Sequence, residues 1–359
     1  MRFAKWRFQL FRLDNDRLVH SLKTAIALLF GLLFSYFFKL PLQGQWVLIS
    51  ILVVMCAQSR VGAILQKSYM RFLGTVIGAI VASLTLWLVY PNVVYTTLIL
   101  CVATMLFSYI ADSPSTWSEV GPLGAVPLVV IVVAQDPSFN TVMSRFLEIN
   151  LGIVIALLVS RFIWPLHSRT QLRYILIHTL HELKNLAKQL EAFTSVKADK
   201  ADKSYELFED NVLNYIGIQK KLFDEVMRET FGRSNLGQIF QNILYEEREI
   251  LRGINLMKNA LMHFSDQDIL LLNQQSQVQK IYQMEQHLFQ VGIDILENKK
   301  NKQEVNPLEG WSDWKKEIQS ALKPLAANIS DQFAIDLFIF SANRLLTQLY
   351  ALIILIKKV

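Results

Sequence analysis

The chain has 359 residues, 52% of them hydrophobic, and a formal net charge of +6. Its mean hydropathy of +0.31 is high for a soluble protein. The apolar residues concentrate between positions 21 and 165, whereas residues 166–359 resemble an ordinary soluble helical protein. A basic net charge can indicate a nucleic-acid partner. Here the positive charge lies beside apolar stretches, where it more often sets membrane topology, and no nucleic-acid-binding motif accompanies it, so we expect no nucleic acid.

The first twenty residues mix basic side chains with large apolar ones, among them Arg2, Trp6 and Arg12. No small-residue cleavage site follows, and the next apolar run is long enough to cross a membrane, so we do not expect a cleaved signal peptide. Two interpretations of residues 1–20 remain open. The segment is either a basic amphipathic helix on the cytosolic membrane surface or a plain positive-inside anchor.

Six apolar segments follow, and each is a candidate transmembrane helix, for which ~20 residues are needed to cross the hydrocarbon core. We expect them to form a transmembrane domain over residues 21–166. The predicted spans cover about 21–38, 46–57 (or to 65), 72–90, 94–111, 121–134 and 146–164.

The distribution of Lys and Arg predicts the orientation of these spans. Basic residues are frequent before span 1, between spans 2 and 3 and after span 6, whereas the opposite loops hold only Lys39 and Arg145. Because cytosolic loops carry the excess of positive charge, both termini are predicted to lie in the cytosol.

The membrane half contains an internal repeat. The motif Leu-Phe-Ser-Tyr ends span 1 at 33–36 and span 4 at 106–109, and each copy is followed by a proline five residues after the tyrosine. Arg-Phe-Leu begins span 3 at Arg71 and span 6 at Arg145, with a glycine seven residues later and a proline twenty residues later in both. Two units of three spans insert with opposite orientation, so the sequence predicts an inverted 3+3 repeat, an architecture typical of secondary transporters. Chance similarity between Leu- and Phe-rich helices is the alternative.

Spans 2 and 5 are corresponding members of this repeat, and both are interrupted. Span 2 has about twelve apolar residues before Gln58, and span 5 contains Gly121, Pro122, Gly124 and Pro127. Substrate sites of transporters lie where corresponding spans are short or broken. We therefore expect spans 2 and 5 to line a polar path.

Several of these residues form a pattern that resembles a known family. The pattern comprises His20, Lys23, Thr24, Pro41, Gln45-Trp46, Gly62, Lys67, Arg71–Gly78, Arg145–Gly152 and Trp164-Pro165. Over roughly residues 15–170 the chain resembles the fusaric acid resistance and aromatic acid exporter superfamily, which includes the plant aluminium-activated malate transporters. The resemblance implies transport of organic anions or aromatic acids across the inner membrane. Many bacterial members carry two membrane halves, whereas this chain carries one and resembles members that pair, which implies a homodimer.

Three arginines are candidates for the substrate path, since ionisable residues inside membrane spans are costly and often functional. Arg60 follows the short span 2 and could attract an anion, or it could be an anchor that extends to the membrane surface. Arg71 and Arg145 occupy equivalent repeat positions and could place positive charge at each mouth. Their alternative role is anchoring of the helix end together with pairing to a carboxylate.

Four further residues complete the proposed path. Glu148 could carry a proton, or it could form an ion pair with Arg145 three residues earlier. Trp46 could stack on an aromatic acid or belong to the interfacial aromatic belt. Gln58 and Gln135 are related by the repeat and could bind substrate or cap backbone groups. Residues expected to serve close helix packing instead are Gly74, Gly78 and Gly152.

Residues 167–359 predict a cytosolic helical bundle, because apolar residues recur at spacings of three and four. The predicted helices cover about 169–193, 204–230, 236–264, 267–298, 311–322 and 330–358. The last helix contains charged residues such as Asp336 and Arg344, which makes it a poor seventh span and favours a core helix or a dimer contact.

No feature of the sequence indicates an enzyme. There is no nucleotide-binding glycine loop, no Ser–His–Asp pattern and no paired cysteine, and His178 and His181 stand without a second ligand cluster. We therefore expect no cofactor and no metal. Cys56 and Cys101 lie in apolar runs and predict buried small side chains.

The sequence thus predicts an all-α inner-membrane protein that contacts membrane lipid and transports small organic anions, such as aromatic or carboxylic acids, as an exporter or channel. The alternative is a membrane-anchored scaffold or sensor whose cytosolic bundle binds a protein partner. A weaker third option is an assembly subunit of a larger efflux complex.

Overall fold

The computed structural model describes residues 15–56, 58–115, 117–134, 137–192, 198–230, 236–297 and 332–358, and every regular element within these ranges is helical. This confirms the all-α class. The chain divides into two units, Met1–Ser168 and Arg169–Val359. Most of the N-terminal segment 1–20 and the helix predicted at 311–322 lie outside the described residues.

The described residues of the first unit form six α-helices that follow the six predicted apolar segments, and a short 3-10 turn precedes the second. The helices are α1 (Asn15–Phe37), α2 (Gln45–Met55), α3 (Val61–Leu88), α4 (Val93–Ala111), α5 (Val120–Val132) and α6 (Phe139–Phe162). By length and composition α1, α3, α4 and α6 are able to cross a membrane. The two remaining helices have 11 and 13 residues, roughly 16–20 Å, and are too short to cross a core of about 30 Å.

Each short helix lies antiparallel to the helix before it. A Cβ on Gly31 of α1 would lie 2.7 Å from a side-chain carbon of Ile51 in α2. Gly44 immediately precedes α2 with a φ of +70°, and a Cβ there would lie 2.0 Å from Ser35 Oγ. Only glycine fits this position, so the tight turn depends on it. In the same way α5 packs closely against α4 at Gly121.

Each short helix also lies parallel to one long helix: α5 lies along α3, and α2 lies along α6. Gly74 and Gly78 of α3 face successive turns of α5. Ser50 of α2 donates a hydrogen bond of 2.9 Å to the carbonyl of Ile149 in α6. The long helices α3 and α6 also pack against each other.

The helices alternate in direction along the chain. We call the end of the first unit where α1, α3 and α5 begin the first end, and the opposite one the second end. At the first end, the Val61 N–H donates to the Leu166 carbonyl at 3.1 Å, so the start of α3 lies beside the segment after α6.

Large apolar side chains cover the outside of the four long helices of this unit. Trp87 is 79% exposed and Met105 is 74% exposed, and α4 buries only Ala103 and Phe107. A surface of this kind is unfavourable in water and suits contact with lipid. Cys56 and Cys101 are also exposed, so the prediction that both are buried is wrong.

The second unit packs its described helices around one hydrophobic core. They are α7 (Ser168–Ala192), α8 (Ala198–Glu229), α9 (Leu236–His263), α10 (Asp266–Gln274), α11 (Ser276–Leu296) and α12 (Gln332–Lys357). The single helix predicted over 267–298 is wrong in one respect: Gln275 has an extended conformation (ψ 122°) and separates α10 from α11.

Helix α12 has two properties that the sequence analysis weighed against each other. By length and composition it is a fifth helix able to cross a membrane, although we expected a poor seventh span. Within the second unit its buried side, which includes Phe338, Leu345 and Leu349, packs against α9 and α11 in the core. This is the packing of a core helix.

Candidate functional site

Three charged side chains are almost fully buried among the apolar helices of the first unit. Lys23 is 0%, Arg71 is 1% and Glu148 is 3% exposed. A buried charge is strongly unfavourable unless it is paired, and inside a membrane protein such a residue is a candidate for function. The two ends of the unit differ in whether these buried charges have partners of opposite charge.

At the second end, Arg145 and Glu148 form an ion pair near the start of α6. Arg145 Nη1 donates to Glu148 Oε2 at 3.0 Å. The guanidinium carbon also lies 5.7 Å from the centre of the half-buried Trp46 ring, at the start of α2. Each of these sequence-predicted residues therefore has a partner in the structure, and the ring adds an attraction of order 1 kcal/mol to the cation.

At the first end, positive charge is buried without a carboxylate partner in the part of the chain that the structure describes. Lys23 Nζ donates to the Ser160 carbonyl at 3.2 Å, across α1 and α6. Arg71 Nε and Nη2 are buried and have no hydrogen-bond partner. Hydrogen bonds to the charged form are what normally offset burial. The first end therefore holds a surplus of positive charge and of donors.

The three glycines assigned to packing lie at backbone contacts of the short helices. A Cβ on Gly74 would lie 2.8 Å from the Gly124 nitrogen, and one on Gly78 would lie 2.5 Å from the Gly124 carbonyl oxygen. A Cβ on Gly152 would lie 2.5 Å from the Val47 carbonyl oxygen. Backbones can approach this closely only when the small residue is kept.

Both short helices end before the helices against which they pack. Ser50 and Ile149 lie at one level; α2 continues for five residues beyond this level and α6 for thirteen, a difference of about 12 Å. Irregular backbone therefore follows α2 within the depth of the unit. Its polar groups need partners in protein or water, since lipid offers none.

Two sequence-predicted residues belong to this irregular segment. Gln58 is half-buried and its N–H donates to the Met55 carbonyl at 3.1 Å. Arg60 is half-buried and precedes the first residue of α3 in an extended conformation. The repeat-related Gln135 lies outside the described residues.

Lys23 and Ser160 were not among the sequence-predicted site residues. Lys23 belonged only to the family pattern, although a signal was present: it is the single charged residue between Leu18 and Phe37 of α1. Ser160 gave no signal, because its contribution is a backbone carbonyl.

The second unit also buries a polar network. Gln219 Nε2 donates to Thr179 Oγ1 at 2.6 Å and to Glu247 Oε1 at 3.1 Å. Burial raises the pKa of Glu247 to about 8, against the opposing effect of the Gln219 hydrogen bond. This carboxyl is therefore protonated in the folded protein at neutral pH.

A second buried carboxyl group of α9, that of Glu249, has a pKa shifted in the opposite direction. Glu249 accepts hydrogen bonds from Arg344 of α12 and from Arg252. The hydrogen bond from Arg344 is the main reason that the pKa of Glu249 is lowered. The ion pair connects the two helices that pack most extensively in this unit.

An apolar multi-helix unit with lipid-compatible outer surfaces and buried charges defines a polytopic α-helical membrane protein. The chain belongs to the fusaric acid resistance protein family, whose family model matches residues 17–210. This confirms the resemblance noted from the sequence. The match extends beyond the first unit into α8, further than the resemblance over about residues 15–170.

A curated relative is the inner membrane protein YeeA of Escherichia coli (strain K12), which is 29% identical over 161 residues. The matched segment is 44% of this chain and 44% of the relative. The chain thus matches the relative over less than half of that protein's length.

Proposed function

We propose that the protein is an inner-membrane transporter, an exporter or channel, for small organic anions such as aromatic or carboxylic acids. The observation that carries this proposal is the guanidinium of Arg71, which is buried inside an apolar helical unit and whose Nε and Nη2 have no partner among the described residues. Such a charge has a high cost, and a passing anion would offset it. Membership of the fusaric acid resistance protein family supports the same conclusion.

The helix packing supports an inverted 3+3 repeat. Exchanging α1, α2 and α3 with α4, α5 and α6 converts each described contact between helices into another described contact, except that of α3 with α6, which it leaves unchanged. The correspondence extends to single residues: Gly78 contacts Gly124 and Pro127, whereas Gly152 contacts Val47 and Ser50. The α6 glycine lies 74 positions after its α3 counterpart, and the two α5 residues lie 77 positions after those of α2. Inverted repeats with broken helices are typical of secondary transporters.

The proposed path follows α2 and α5 between the two ends of the unit. Arg71 lies towards the first end, and Arg145 with Glu148 and Trp46 lies at the second end. Arg60 and Gln58 would line the irregular segment after α2. The repeat-related Gln135 is proposed as a path residue from the sequence alone. In this arrangement an arginine lies near each mouth, as selectivity for anions requires. Arg145 is paired with Glu148, so the net positive charge lies at the first end.

The inner membrane is the proposed location, with both termini in the cytosol. The relative YeeA is an inner membrane protein by name, and the positive-inside pattern orients the spans. The unit following α6 would then be a cytosolic bundle. A homodimer is proposed because the family resemblance implies pairing, and twofold symmetry is the commonest form of pairing.

Anion flux into proteoliposomes tests the transport proposal. The full-length protein is reconstituted, and uptake of radiolabelled benzoate, 4-hydroxybenzoate and succinate is compared with that into empty vesicles. Arg71→Gln should reduce the flux at least tenfold. The matched control is Arg161→Gln, which removes an exposed arginine from α6 of the same unit and should leave the flux unchanged. Mass measurement in lipid nanodiscs tests the dimer.

The outcome also separates transport from the alternative role. If no anion in the panel moves faster than through empty vesicles, the transport proposal is wrong. The scaffold interpretation would then stand, and its partner would be sought with the second unit, which has its own hydrophobic core.

A further inference from the structure

The first end of the first unit collects buried hydrogen-bond donors that have too few acceptors. We call Lys23, Ser68, Arg71 and Ser160 the donor group; each is at most 2% exposed. The hydroxyl groups of Ser68 and Ser160 and two nitrogens of Arg71 have no partner. Among the residues that the structure describes, the bond from Lys23 to the Ser160 carbonyl is the one side-chain hydrogen bond that this group makes.

The donor group borders one hydrophobic cluster. Lys23 precedes Ala27 by one turn of α1, and Ala27 packs in a cluster with Ile64 of α3 and with residues of α2 and α6. Ser68 and Arg71 follow Ile64 at intervals of four and seven residues, on the same face of α3. The charged faces of α1 and α3 are therefore directed towards the same group of helices.

Comparison of the two halves of the proposed repeat shows that the first end, as far as the structure describes it, lacks a carboxylate equivalent to Glu148. Arg145 has Glu148 three residues later as its partner. The position three residues after Arg71 is Gly74, which is closed to any side chain because a Cβ would lie 2.8 Å from the α5 backbone. The described residues thus provide Arg71 with no equivalent carboxylate, although an unpaired buried cation is strongly unfavourable.

We propose that the carboxylate group of the transported anion binds at the donor group, where it accepts hydrogen bonds from Arg71 and is attracted by the charge of Lys23, and takes the place that Glu148 has beside Arg145. The inference rests on the proposed function and names its binding residues and the chemical group recognised. A guanidinium donates two parallel hydrogen bonds to a carboxylate, and the lysine adds a point charge. A neutral amide of the same shape lacks the charge and is not recognised.

Binding is tested on the full chain, purified in detergent, by thermal melts with increasing concentrations of benzoate, 4-hydroxybenzoate or succinate. Each acid is compared with its amide at constant ionic strength. The wild type should be stabilised by at least one acid and by none of the amides. Lys23→Met should lower the affinity for that acid at least tenfold. Lys23→Arg should keep part of the wild-type affinity, and Arg161→Gln should leave the affinity unchanged.

The melting temperature without ligand separates a binding role from a structural one. If the role of Lys23 is to bind an anion, Lys23→Met removes a buried charge that has no counter-charge among the residues described in the unliganded protein. The unliganded variant should then melt at the same temperature as the wild type or at a higher one. If the lysine is only a structural partner of the Ser160 carbonyl, the variant should melt lower and keep its response to the acid. That second result, or the absence of stabilisation by every acid, would overturn the inference.

Flux measurements keep this inference distinct from the proposed function. Stabilisation by an acid that the wild type does not transport would leave the binding site intact and refute transport. Wild-type flux that Lys23→Met does not change would refute the role of the donor group and leave transport intact.

Discussion

The glycine at position 152 offers the sharpest test of how the first unit is packed. In Gly152→Ala the new Cβ would lie 2.5 Å from the Val47 carbonyl oxygen and 2.6 Å from Ser50 Cβ. Ordinary contacts are about 3.5–4.0 Å, so α2 and α6 would have to separate by about 1 Å. That shift would also stretch the hydrogen bond from Ser50 to the Ile149 carbonyl, now 2.9 Å.

The size of the effect follows from opposing contributions. Overpacking costs about 1–3 kcal/mol, and the weakened hydrogen bond adds about 1 kcal/mol. The better helix propensity of alanine returns at most about 1 kcal/mol. We therefore expect Gly152→Ala to lower the free energy of unfolding by about 1–3 kcal/mol.

Gly31→Ala is the matched control, because it makes the same chemical change in the same unit. There the Cβ would meet the ends of two flexible side chains, Ile51 at 2.7 Å and Leu48 at 3.1 Å. These can change rotamer, so stability should remain within about 1 kcal/mol of the wild type. Both variants are compared by reversible SDS unfolding in mixed micelles. If Gly152→Ala is as stable as Gly31→Ala, the proposed close approach of α2 and α6 is wrong.

Three predictions concern the second unit. Between pH 4.5 and 8 the free energy of unfolding should fall by at most about 1.4 kcal/mol for each unit of pH, because folded Glu247 keeps a proton that the unfolded chain releases. In urea titrations at several pH values, Glu247→Gln should show a weaker dependence on pH. Arg344→Gln should lower the free energy of unfolding by about 2 kcal/mol or more, since it leaves the buried Glu249 with a single partner. Arg252→Gln should lower it by less than about 1 kcal/mol, because Arg252 is 68% exposed. Equal losses for the two variants in urea unfolding would contradict this reasoning. Gly217→Ala should raise the stability by about 0.5–1 kcal/mol, because a Cβ there meets nothing within 4 Å; a lower thermal midpoint would refute that reasoning.

Much of the fold could be predicted because long apolar segments determine where helices form. The helices α1, α3, α4 and α6 lie within a few residues of the predicted spans, apart from the extra turns at the start of α1, α3 and α6. Those extra turns contain polar residues such as Gln66 and Asn140. Hydropathy does not include them in a span, whereas backbone hydrogen bonding continues the helix through them.

The candidate site could be predicted only in part, because burial depends on tertiary contacts. The ion pair of Arg145 with Glu148 is a local contact at a spacing of three, so the sequence offered it as an alternative. The bond from Lys23 to Ser160 joins residues 137 positions apart. No local pattern indicates that this lysine is fully buried while Lys39, at the other end of the same helical segment, is exposed.

In an inverted repeat, the positions that differ between the two halves are where direction can be built into transport. The proposed repeat would make the two ends of the unit alike, so by itself it could not distinguish inside from outside. Lys23 corresponds to the neutral Thr96 at the repeat offset of 73 positions, and Gly74 corresponds to Glu148 at the offset of 74. Both differences add positive charge to the first end relative to the second. In the proposed orientation the first end faces the cytosol, so an anion would be held most strongly on the side from which an exporter loads.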